Sequence, residues 1–174
     1  MKKIIILFLI IFLTGSITVS AEEGYVLKAK ISMINAVPKQ FFGTWSVQSV
    51  QISTDSPKTF SKGSHDLWNL RRSGNVIELR NPVTAAVAEI YLDDVNENEI
   101  VFTHYDKDGN TSIKDTVKIK LNGETFYGTN ELVLTTVRYD EYTRRKITET
   151  KTAVYDIKGS KLKGSEIFEG IYGQ

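Results

Sequence analysis

From Thr44 onward the chain is a succession of short runs in which Val, Ile, Thr, Tyr and Phe recur at every second position, cut at brief intervals by Gly, Asn, Asp and Ser. Alternation with period two marks strands that turn one face to a core and the other to water. No long stripe with the 3.6-residue period of a helix competes with it. The runs cover Thr44 to Thr54, Asp66 to Arg72, Asn75 to Arg80, Thr84 to Leu92, Ile100 to Tyr105, Asp115 to Leu121, Thr125 to Arg138, Tyr142 to Ile157 and Ser160 to Phe168. Roughly eight to ten antiparallel strands joined by short turns predict an all-β fold, either a closed up-and-down meander or a sandwich. Closure would remove the unpaired edges that an open sheet exposes to other chains.

Within the first run, Trp45 and Val47 fall on one phase and Val50 and Ile52 on the other, which predicts a bulge or sharp coil. The polar stretch from Ser53 to His65 is too long for a tight hairpin, and long loops in compact domains are usually functional or mobile. Ser73-Gly74 reads as a two-residue turn. The small Ala85, Ala86 and Ala88 predict a close approach by another backbone or a bulky side chain. One motif occurs twice: Leu121-x-Gly123-x-x-Phe126-x-Gly128 and Ile157-x-Gly159-x-x-Leu162-x-Gly164, displaced by 36 residues. The first glycine of each copy fits a hairpin turn at positive φ, and the second a kink inside the return strand.

The amino-terminal end has a different character. Met1-Lys2-Lys3 precedes ten unbroken apolar residues, Ile4 to Leu13, and small residues then lead to Val19-Ser20-Ala21. A basic start, a short apolar segment and a small-residue cleavage site predict a secretory signal peptide over residues 1–21. The apolar run is about half the roughly 20 residues a membrane-spanning helix requires. Residues 22–174 are then expected to form a single domain, exported to a periplasm or the extracellular space, with no membrane insertion after signal removal. A domain of that size buries roughly 68–70% of its unfolded surface, enough for a core without cross-links. That matters because the chain has no cysteine and can form neither a disulfide nor a lipid-modified cysteine anchor.

Taking Lys2 and Lys3 from the 22 basic residues leaves them one short of the 21 acidic ones. Such a balance gives no electrostatic footprint for nucleic acid.

The stretch Phe41-Phe42-Gly43-Thr44-Trp45 at the mouth of the first strand acquires a context from the strand pattern. A Gly-x-Trp opening a coiled first strand, a long first loop and a meander with short turns resemble the lipocalins and the wider calycin group. The resemblance implies a lipocalin-like up-and-down β-barrel of about 8–10 strands. In it Gly43 and Trp45 sit where the chain enters, Trp45 packs across the closed end, and the loop from Ser53 to His65 partly covers the open end. Two features depart from the family. Its arginine that stacks on the tryptophan near the end of the last strand has only Lys161 and Lys163 as counterparts here, and only six residues follow Phe168 where the family has a helix.

Trp68 opens a strand beside the long loop, so it is either a plain core residue or a platform for a ligand. Phe60 in the loop and His104 on an otherwise apolar strand face are the other ligand-contact candidates. His104 would be a satisfied core histidine first and a polar orienting group second. His65 and His104 form no spaced ligand set, and Asp106-Lys107-Asp108-Gly109-Asn110 has its glycine too early for a calcium loop, so no metal site and no cofactor are predicted. Neither a nucleophile motif nor a distinctive carboxylate pair points to an enzyme.

The expected function is non-catalytic binding of a small hydrophobic or amphipathic ligand inside the barrel. The alternative is a packed-barrel envelope or secreted protein of structural or interaction function, its partner unspecified. A transmembrane barrel is disfavoured because both phases of the run from Tyr142, one with Arg144 and Lys146 and the other with Arg145, Glu149 and Lys151, carry charges that lipid would not accept cheaply.

Overall fold

In a computed structural model, residues 33–163 are described. The proposed signal peptide therefore lies outside the described residues, as does the predicted strand beyond Lys163. Eight strands follow one another around a ring: β1 (Gly43–Thr54), β2 (Gly63–Ser73), β3 (Val76–Arg80), β4 (Val87–Val95), β5 (Glu99–Asp108), β6 (Thr111–Asn122), β7 (Thr125–Tyr139) and β8 (Lys146–Lys161). Each pairs antiparallel with the next, and β8 returns to β1, so the sheet is a closed all-β barrel. No helix among the described residues is long and apolar enough to cross a membrane.

Period two sets the interior. The register places Trp45 opposite Trp68, Leu70 opposite Leu79, Ile77 opposite Ile90, Phe102 opposite Val117, Ile100 opposite Ile119 and Leu121 opposite Phe126. Directly opposed residues share a face, and these alternate positions supply most of the buried apolar core. A 3₁₀ turn, Lys39–Phe41, brings Phe41 against this core. Gly43, which follows it, has φ 119°, a conformation that L side chains rarely adopt. The opening glycine is thus a backbone requirement of the turn into β1.

The first strand carries the expected bulge: its register against β8 shifts between Gln51 and Ser53. Val50 and Ile52 stay on the outer phase and are exposed, while Gln51 keeps the inner phase up to the bulge. The first loop is shorter than its polar composition suggests. Ser53, Thr54 and Gly63 to His65 are strand, leaving residues 55–62 as the connection. Ala85 lies in the β3–β4 loop at φ 59°, and both it and Ala86 are exposed, so their small size serves a turn.

The largest difference concerns the last strand. The motif around Gly159 predicts a hairpin turn, but β8 runs unbroken through it. Gly123 is a turn residue at φ 63°. Gly159 instead faces Phe126 across the β7–β8 ladder, and a Cβ there would stand 2.1 Å from the phenyl Cε1. The two glycines satisfy different needs, one conformational and one steric, which the local pattern does not distinguish.

Candidate functional site

Trp45 is 1% exposed, and its indole Nε1 donates to Phe41 O at 2.9 Å, so the ring is buried with its one polar atom satisfied. Lys161, directly opposite on β8, holds its ammonium 5.6 Å from the indole centroid and donates to Gln40 O at 3.2 Å. The cationic partner of Trp45 is therefore a lysine at the end of β8. Phe126 meets Trp45 at 5.1 Å between centroids and Trp68 at 6.1 Å, the latter nearly parallel. An aromatic column runs from the closed end through Phe126 to Trp68.

Beyond Trp68 the wall of the barrel splits. The short β3 pairs with β2 only over Asn69 to Ser73, and the ladder between β4 and β5 begins only at Tyr91 and Thr103. Asp66, Leu67 and Trp68 of β2 and His104 and Asp106 of β5 thus extend past the β3–β4 hairpin on either side of a notch. The notch is an open cleft of about 360 Å³, at the lower end of the range of small-molecule sites. Leu79 and Ala88, opposite each other on β3 and β4, give it an apolar base, and the exposed Val87 also lines it.

The connection between β3 and β4 is fixed by Asn81. Its Oδ1 accepts from Val83 N at 2.8 Å and Thr84 N at 3.0 Å, and its Nδ2 donates to Asp66 Oδ1. Arg80 also lines the cavity, with its Nε 2.8 Å from Glu78 Oε2; Arg71 Nε meets the same oxygen at 3.0 Å. Partial burial raises the Glu78 pKa, but the hydrogen bonds and charges of Arg80 and Arg71 outweigh it and hold the carboxyl below its ordinary value.

Behind His104 a polar layer crosses the interior. Asp115 faces His104 across the β5–β6 ladder, and burial pushes its pKa up to about 6 against the opposing pull of His104 and Asn130. Asp115 Oδ1 and Asn130 Oδ1 are both buried without a hydrogen-bond partner. Asn130 is opposite Tyr155, whose hydroxyl donates to Ser61 O at 3.0 Å; Gln51 Nε2 reaches the same carbonyl at 3.2 Å. These bonds tie the first loop to the barrel. Asp55 adds a second tie, accepting from Thr152 N at 2.8 Å and Thr152 Oγ1 at 2.9 Å.

Of the residues singled out from sequence, Trp68 and His104 line the same cavity. Phe60 does not line it; it packs, partly buried, against the core from the first loop. Gly43 and Trp45 lie together at the entry to β1. His65 is on the outer wall with its Nε2 2.7 Å from Ser46 Oγ, on the opposite face of the sheet from His104. Sequence reasoning missed Asp66, Asp106, Asp115 and Asn130. For Asp115 a signal existed: counting by twos from Val117 and Ile119 places it on the inner face. Asp66 and Asp106 read as a strand opening and a turn because nothing local marks the split beside them.

Comparisons of the chain with protein families, curated proteins and solved structures return no match.

Proposed function

We propose that this protein is an exported, non-catalytic, lipocalin-like barrel that binds a small amphipathic molecule in the notch between β2 and β5. The observation that carries this reading is the cavity of about 360 Å³ floored by apolar side chains and edged by Trp68 and His104. Convergence of an aromatic face, an apolar base and a few polar groups is the usual composition of such sites. The lipocalin likeness is supported by Gly43, by the buried Trp45 and by Lys161, which stands over the indole where the family places an arginine. The outer face of β6 carries Lys114, Lys118 and Lys120, which favours water around the barrel over lipid.

Intrinsic fluorescence tests the reading. Trp68 edges the cavity and Trp45 is sealed, so a bound aromatic or alkyl ligand should change the emission saturably, and Trp68→Phe should remove most of the change. A panel of small amphiphiles producing no saturable change would remove the binding reading and leave the packed scaffold.

A further inference from the structure

Charge around the notch is unevenly compensated. Asp66 stands on its β2 side and Asp106 on its β5 side. Asp66 Oδ1 accepts from Leu67 N at 2.8 Å and from Asn81 Nδ2, and Asp106 Oδ1 accepts from Lys107 N at 2.7 Å. In each carboxylate the other oxygen has no hydrogen bond among the described residues, and neither side chain forms an ion pair there. The one lysine or arginine lining the cavity, among the described residues, is Arg80, and Glu78 already holds its guanidinium. Two carboxylates on opposite edges therefore face a shared space in which the one guanidinium, among the described residues, is already hydrogen-bonded to Glu78, a carboxylate it shares with Arg71.

Trp68 adds a second preference of the same sign. Its ring stacks on Phe126 and also borders the cavity, and an indole face attracts cations more strongly than any other side-chain ring does. Leu79, Val87 and Ala88 provide surface for an uncharged body. Resting on the binding reading above, we propose that the notch selects a small organic cation, an amine with an aromatic or short apolar body. The ammonium sits between Asp66 and Asp106, and the body lies against Trp68 and the apolar base.

Three probes of matched body and different charge test this: 2-phenylethylamine, 2-phenylethanol and 3-phenylpropionate, titrated calorimetrically and by tryptophan emission. The amine should bind at least roughly tenfold more tightly than the alcohol, the scale of a hydrogen bond to a charged group, and the carboxylate should bind most weakly. In Asp66→Asn/Asp106→Asn the ratio of amine to alcohol affinity should collapse towards one. Each single variant should give an intermediate ratio, with folding checked by circular dichroism. Glu78→Gln, which releases Arg80, should lower the same ratio from outside the cavity.

If the alcohol or the carboxylate binds as tightly as the amine, or the double variant keeps the full ratio, the cation proposal is overturned while the cavity reading stands. If none of the three binds, both fall.

Discussion

Trp45 and Trp68 are direct partners across β1 and β2, and both rings meet Phe126. Around Trp45 every neighbour closes in: a 3₁₀ turn on one side, Lys161 over the ring, and a carbonyl taking its N–H. Around Trp68 the neighbouring ladder stops and leaves a cavity. The same residue type on the same face thus serves closure in one place and access in the other. What separates them is where β3 ends, since a five-residue strand cannot cover the whole length of β2.

The strongest way to break this contrast is to truncate each ring in turn. Trp45→Ala is predicted to cost about 3–5 kcal/mol, as for a fully buried aromatic. Trp68→Ala should cost only about 1–2 kcal/mol because less of its surface is removed from water. Urea denaturation measures both, and equal losses would erase the distinction between the sealed ring and the open one.

Asp115 provides the next largest effect. Its folded-state pKa of about 6 lies above the ordinary value of 3.8, so the folded protein holds this proton more tightly than the unfolded chain does. The associated stability is fully present below about pH 4 and is lost as pH rises through about 6. Asp115→Asn removes the titration and gives Asn130 Oδ1 a potential donor. It should stabilise the protein by about 2–3 kcal/mol at pH 7.5 and flatten the pH dependence between 4 and 6. Melting curves that keep the same slope in that window would contradict the role given to this carboxyl.

Gly159→Ala sharpens the closed end. Phe126 is wedged between two indoles, so it cannot swing away from an added Cβ, and a loss of about 1–3 kcal/mol is expected. Phe126→Leu should recover part of that loss in a double-mutant cycle, and strict additivity would show that the two residues do not meet. The smallest effect is predicted at Lys161. Lys161→Met should cost about 0.5–1 kcal/mol through the lost contact with the indole face, with Lys161→Arg close to the parent in thermal melts.

The barrel was legible because each strand repeats its inward residues by twos, and a ring of such strands has few ways to bury them. Turns fall within a residue or two of their expected places at Gly74 and Gly123, whereas around Gly109 the strands run three residues further, to Asp108, and start four residues earlier, at Thr111. Gly159 was misread because a glycine reports only that space or an unusual backbone is needed, and here the space belongs to a ring 33 positions earlier in the chain. Trp68 and His104 stood out as a large aromatic and a titratable group on otherwise apolar faces. Their meeting, and the two carboxylates beside them, depends on the splay between β4 and β5, a tertiary feature with no local sequence mark.

The ties between the first loop and β8 carry a consequence for how the chain reaches its native state. Asp55 and Thr152 are 97 residues apart in sequence, and the β1–β8 seam they flank is the most distant pairing in the ring. Such contacts reward the chain only after most of its loop-closure entropy has been spent, whereas the hairpins from β5 to β8 form from near neighbours. Since β2 is held against β1, Trp68 reaches Phe126 only when the seam has brought the two halves of the barrel together. Tryptophan emission should therefore report the last step of folding, lagging behind the appearance of β-structure.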